Sequence, residues 1–185
     1  MKRIAIAISA AALLAGSVAG VLLLRGGASE PARATAPAWN EIAWPFPIDQ
    51  FGKGKAFRCR AADCGTEVNL YIRAKIGFCN CTTGVADDAE LERISDFALF
   101  ETRLAALGPG QPIAVAWMKG RSRAFSVDGT APAKSVLSVG FNDRCDAIVA
   151  TAVLGHDRPD TIEPAVLAFL NSRTVLRWAE VTLGL

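Results

Sequence analysis

The sequence predicts an α+β domain: a single antiparallel sheet with two packing helices, set behind an N-terminal membrane segment. Three observations carry that expectation. Residues 68–78 alternate apolar and polar side chains without a break, two later stretches carry helix-start chemistry, and the run Ile4–Leu24 has no charged side chain. Of the 185 residues, those beyond a leader and a linker suffice for one domain with a buried core.

Ile4–Leu24 is entered through Lys2 and Arg3 and left through Arg25. About 20 apolar residues at 1.5 Å rise cross a bilayer, so residues 1–25 are expected to be a signal anchor or a signal peptide. The two small-residue cleavage candidates, Ser17-Val18-Ala19 and Gly26-Gly27-Ala28, both fit poorly: the first strands Val21–Leu24 at the new terminus, and the second needs an overlong apolar region. An uncleaved anchor is therefore favoured, with Lys2 and Arg3 holding the tail in the cytoplasm. The expected address is a single pass through a bacterial inner membrane with the C-terminal domain in the periplasm; the alternative is a soluble periplasmic protein after cleavage. No cysteine precedes Cys59, which excludes a lipid-bearing cysteine behind the leader. Gly16 and Gly20 form a G-x-x-x-G pair that offers a dimer contact within the membrane.

Residues 26–38 have linker composition, and the exported domain is expected over 39–185. Trp39–Phe51, with Trp44-Pro45-Phe46-Pro47, predicts an aromatic strap: Trp39, Trp44 and Phe46 either plug the core edge or offer a partner surface. From Lys55 the pattern turns to β, with Phe57 and Cys59 on one face and Arg58 and Arg60 on the other. After Asp63-Cys64-Gly65 it resumes with the long alternating run that places Arg73 and Lys75 opposite Ile72 and Ala74. Asp87-Asp88-Ala89-Glu90 predicts a capping box and a helix to about Leu107, stopped by Gly108-Pro109. Ile113–Met118 and Arg123–Val127 suggest a hairpin around Lys119-Gly120, and Asp128-Gly129 a further turn. Strands are expected over Ser135–Phe141 and Asp146–Leu154, the second nearly all apolar and so central. Glu163-Pro164 opens a helix, and Ser172 caps a last one to Leu183, with a terminal strand as the alternative. The order β-β-α-β-β-β-β-α, with short turns between strands, indicates antiparallel pairing.

Cys59, Cys64, Cys79, Cys81 and Cys145 lie in the exported part, where disulfides persist. Cys59 and Cys64 flank a turn and can close it. Cys79 and Cys81, two apart in extended chain, point to one face about 6.5 to 7 Å apart, too far for an easy mutual bond. One of them is expected to bond Cys145, leaving the other as an odd thiol. The competing reading is a Cys79-Asn80-Cys81 metal or redox site with Cys145 as third ligand. Against metal, the chain has one histidine and two methionines; against redox, it has no C-x-x-C.

Other chemistry is thin. His156-Asp157 with Asp160 is the one acid–imidazole grouping, expected to cap a helix, and no G-x-S-x-G, H-E-x-x-H or Walker loop occurs. No side-chain grouping points to a catalytic residue and no motif implies a cofactor. Beyond residue 25, 17 bases face 18 acids, a net charge of −1, which argues against nucleic-acid binding as a global property. Lys53, Lys55, Arg58, Arg60, Arg73 and Lys75 nevertheless outnumber Asp63 and Glu67. They are expected to be solvated strand faces, the alternative being a patch, centred on Arg58, Arg60, Arg73 and Lys75, for lipid headgroups or an acidic partner. The functional expectation is a membrane-tethered periplasmic binding or assembly-accessory domain with a protein partner; the alternative is a thiol-dependent metal-binding or redox factor.

Overall fold

The computed structural model describes residues 37–100, 103–129, 134–155 and 158–185. The expected membrane segment at 4–24, the Gly16/Gly20 pair, residues 26–36 of the linker, and His156 and Asp157 lie outside these. Among the described residues no helix is long and apolar enough to cross a membrane.

The strands are β1 (Trp39–Ile42), β2 (Lys55–Cys59), β3 (Val68–Lys75), β4 (Leu104–Ala106), β5 (Gln111–Val115), β6 (Met118–Val127), β7 (Lys134–Asp143) and β8 (Asp146–Leu154). They form one antiparallel sheet in the order β1-β2-β3-β8-β7-β6-β4, and β5 pairs with the first half of β6 on the edge shared with β4. Among the described residues four helices join it: the single turn α1 (Ala61–Cys64), α2 (Asp88–Ile94), α3 (Pro159–Leu170) and α4 (Arg173–Leu183). The molecule is therefore α+β with an antiparallel sheet. Its near-apolar strand β8 sits between β3 and β7, as its composition predicts.

Both faces of the sheet are covered. On one, Phe57, Leu70, Ile72, Ala150, Ile148, Val139 and Phe141 meet Ile162, Val166 and Leu170 of α3 and Val175 and Ala179 of α4. Trp39 stacks on Phe169 at 4.8 Å and closes this layer at the β1 edge. Ser122 of β6, also buried, donates its hydroxyl hydrogen to Glu163, which fixes α3 over the strand. On the other face lie α2, the 43–54 strap and the 76–87 loop, with Cys79, Val85, Leu91 and Ile94 packed on Ala147 and Val149. Gly140 of β7 lies under this layer: a Cβ there would crowd Leu91, Ile94 and Val85, so glycine lets α2 sit close to the sheet.

Several elements differ from expectation for identifiable reasons. The helix predicted to Leu107 ends at Ile94. Ser95 turns extended there, its hydroxyl bonding the Leu91 carbonyl at 2.7 Å and Ser138 at 2.6 Å, and Asp96 is drawn into the sheet. A 3-10 turn (Phe97–Phe100) follows and then strand β4, so the later half of the apolar stripe packs on β6, with Phe97 4.7 Å from Phe125. Half of the capping box forms: Asp87 accepts from the Glu90 amide, while Glu90 accepts from the Asn80 amide and pairs with Arg93. The hairpin turns at Ala116-Trp117, with Ala116 at φ 51°, whereas Lys119 and Gly120 lie inside β6. Gly120 marks close approach to the Gly140 carbonyl and Phe141. Helix α3 starts at Pro159, earlier than Pro164 suggested, because Pro159 occupies its first turn. Ser172 caps α4 through the Val175 amide, and the terminal-strand alternative does not occur. The first residues of the strap form β1, and the alternating run stops at Lys75 where Gly77, at φ 65°, turns the chain.

Cys59 is bonded to Cys64 and Cys81 to Cys145, with Cys79 the free, buried cysteine. Two disulfides indicate an oxidising, extracytoplasmic environment. The first closes a separation of 5 residues, the second one of 64. In the chain-entropy account these are worth about 2 and about 4 kcal/mol. Cys81→Ser/Cys145→Ser is expected to lower the free energy of urea unfolding by about 2 kcal/mol more than Cys59→Ser/Cys64→Ser; equal losses, or the reverse order, would contradict this.

Candidate functional site

Tyr71, Arg73 and Lys75 stand on alternate positions of β3 and therefore share one face, the face under the strap and α2. Arg73 and Lys75 are 3% and 4% exposed, which overturns the expectation of a solvated strand face. Arg73 donates both hydrogen bonds of Nη1 to the carboxylate of Asp49, at 2.8 Å each, and Nε to Asp96 at 3.1 Å, with Nη2 on the other Asp96 oxygen. Lys75 Nζ lies 2.9 Å from Asp96. Aromatic rings close the cluster. Phe51 lies over both cations, with centroids 5.3 Å from Arg73 and 4.5 Å from Lys75, while Trp44 flanks Arg73 and Phe78 flanks Lys75. One residue pair up the strand, Tyr71 meets Trp44, Phe46 and Phe100.

Two cations and two carboxylates leave the cluster neutral, which is how a protein tolerates buried charge. Burial works against the charge on Arg73, but Asp96 and Asp49 outweigh it and raise its pKa. For Lys75 burial wins and pushes the ammonium below the usual lysine value, against the pull of Asp96. Partial desolvation opposes ionisation of Asp49, yet the Phe51 amide and Arg73 hold its carboxyl below the ordinary value. On the same layer Asp88 is held low by Arg121 and the Gly110 amide, which bind α2 to β6 and the 107–110 loop. These groups fasten the strap, β3, α2 and β6 to one another.

The remaining candidates are scattered. Trp44 and Phe46 turn inward on Tyr71, Trp39 inward on Phe169. Arg58 bonds Asn69 at the surface and Arg60 bonds Asp63, so with Arg73 and Lys75 buried the four bases form no common patch. Cys81 and Cys145 are consumed by their bond, and among the described residues no three His, Cys, Asp or Glu side chains are grouped to hold a metal. The Cys79 thiol donates to the Arg144 carbonyl at 3.3 Å. Its pKa is raised, by burial first and then by Glu90 and Asp146. Asp160 pairs with Arg158 in the first turn of α3.

What the sequence did not indicate is a cleft at the β1 edge. Beside helix α4 lies an open cleft of about 510 Å³ bordered by Phe57, Ile72, Val175, Trp178 and Val181; Phe57, Ile72 and Val175 are buried in the core beneath it, and Val181 is exposed. An adjoining space of about 620 Å³ shares Glu41, Lys55 and Trp178 and continues past Lys53 to Trp44. Arg173, Arg177, Lys53 and Lys55 surround these spaces against one acid, Glu41, which Lys55 engages. The one sequence cue is that Val181 interrupts the polar side of α4, and it is 73% exposed. No family model and no curated protein matches the chain.

The buried cluster sets two expectations. Asp96→Asn, which strips Arg73 and Lys75 of their shared carboxylate, is expected to cost about 3 to 5 kcal/mol. Asp49→Asn, at a site 40% exposed, is expected to cost about 1 kcal/mol or less. Because Asp49 and Asp88 have depressed folded pKa values, their contribution is complete above the unfolded carboxylate value of about 4 and is lost as pH falls through the folded values. Denaturant unfolding between neutral pH and pH about 3 reads both; equal losses for the two variants, or stability rising on acidification below about 4, would contradict the assignment.

Proposed function

We propose that the chain is a membrane-tethered, periplasmic binding domain without catalytic activity, working through the cleft between α4 and the β1–β2 edge. The tether is residues 4–24, which reach the inner membrane from the linker side and leave the disulfide-stapled domain outside the cytosol. The observation that carries the reading is the cleft itself. It joins the apolar side chains of Trp178 and Val181 to Arg173 and Arg177, which have no ion pair among the described residues, whereas Arg73 and Lys75 are engaged in holding the fold. Apolar concavity with a few placed polar groups is the usual form of a ligand site. The thiol-dependent alternative rests on Cys79, and a buried thiol with a raised pKa is a poor nucleophile and a poor metal ligand near neutral pH.

The two readings separate in a host strain deleted for the gene. Cys79→Ala is expected to restore the wild-type phenotype, and Val181→Asp, which places a charge on an exposed position of the cleft wall, is expected to fail while still accumulating with both disulfides. In the same strain a reporter active only outside the cytosol, fused after Leu185, is expected to be active, with the mature mass retaining residues 1–24. Loss of complementation by Cys79→Ala with full complementation by Val181→Asp would favour the thiol factor, and an inactive reporter would remove the periplasmic placement.

A further inference from the structure

The binding-domain reading leaves open what the cleft takes, and its chemistry is specific enough to name a class. Arg173 and Arg177 are one helical turn apart on α4, so they project on the same side, and among the described residues neither has an ion pair. Beside them on the same helix lie Trp178 and Val181, with buried Phe57 and Val175 beneath and Lys55 of β2 at the opposite lip. The site thus has a strip of apolar surface that ends in fixed positive charge. Guanidinium pairs suit carboxylate and phosphate oxygens, which accept two parallel N–H bonds from each fork. Glu41, the one acid at the rim, is neutralised by Lys55, so the excess charge around the opening is positive. The volume of about 510 Å³ falls in the range of small-ligand sites.

We propose that this cleft binds a single monomeric amphiphile with an acidic headgroup, its aliphatic chain laid on Trp178 and Val181 and its carboxylate or phosphate held by Arg173 and Arg177. Trp178 has the central place: it borders both spaces and supplies a flat apolar wall against which a flexible chain packs. Val181 completes the wall near the C-terminal end of α4. A neutral or cationic amphiphile of the same length gains the apolar contact but meets the unpaired arginines, so the headgroup charge supplies the selectivity.

The test uses the full chain and a dodecanoate probe carrying a diazirine, crosslinked by light, with the labelled peptides identified by mass. Label is expected on the segment containing Trp178–Val181. Unlabelled dodecanoate is expected to compete at least about tenfold better than dodecyltrimethylammonium, the yield of one charge-assisted contact. Arg173→Glu/Arg177→Glu is expected to reduce labelling by about tenfold or more with both disulfides intact. Equal competition by the cationic analogue, or label spread over the surface, overturns the proposal. So does label from a diazirine phosphatidylglycerol in vesicles with none from monomeric dodecanoate, which would make the occupant a membrane surface. If the probe fails but Arg173→Glu/Arg177→Glu still abolishes complementation, the amphiphile is wrong and the binding-domain reading stands. If the probe fails and both this variant and Val181→Asp complement fully, the two fall together.

Discussion

The second face of the sheet depends on one carboxylate. Asp96, 6% exposed, lies directly after α2 and accepts from both Arg73 and Lys75, while Asp49 in the strap takes the remaining guanidinium edge of Arg73. Three stretches of chain that share no backbone pairing, the strap, β3 and the end of α2, are thereby held to one another. An apolar substitute would allow the strap to slide along β3, whereas the forked geometry of Arg73 accepts one register only. The arrangement contributes specificity more than net stability, since desolvating the ions offsets much of their attraction. Phe51 and Phe78, 5.0 Å apart, exclude water from the cations and bring the strap and the 76–87 loop together over the cluster.

Around that clamp the two faces of the sheet do different work. The face beneath α3 and α4 holds the larger apolar cluster, with the cleft at its β1 border. The other face is ionic as well as apolar, with Asp88, Arg121, Arg123 and Glu92 repeating the clamp over β6. The Cys81–Cys145 bond ties the loop before α2 to the β7–β8 turn, and so resists separation of this irregular layer from the sheet. The cleft thus lies on the face whose core is regular and apolar, and the staple serves the face whose layer is mostly loop.

Much of the fold was legible in the sequence, and the failures have a common cause. Strand β8 and the cap of α4 at Ser172 were visible because they rest on local signals, a continuous apolar run and one capping side chain. Alternation in 68–78 correctly set Arg73 and Lys75 on the face opposite Ile72. It says nothing about whether that face is wet, and the answer lay in Asp49 and Asp96, more than 20 residues away on either side. The same long-range pull ended α2 at Ile94 despite an apolar stripe that continues to Leu107. Cys79 and Cys81 were indistinguishable locally; packing of Cys79 against Val85 and Val149 chose Cys81 for the bond. The cleft was invisible because it needs residues 41–57 and 173–181 side by side, which no periodicity reveals.

The central claim is that Asp96 clamps the strap and α2 to β3 without being needed by the opposite layer. Hydrogen exchange of Asp96→Asn against the wild-type chain tests it most directly. The account predicts faster exchange confined to residues 44–54, the 76–87 loop and α2, with β7, β8 and α3 keeping their protection. Acceleration spread evenly over the sheet and α3, or none in the strap, would contradict it.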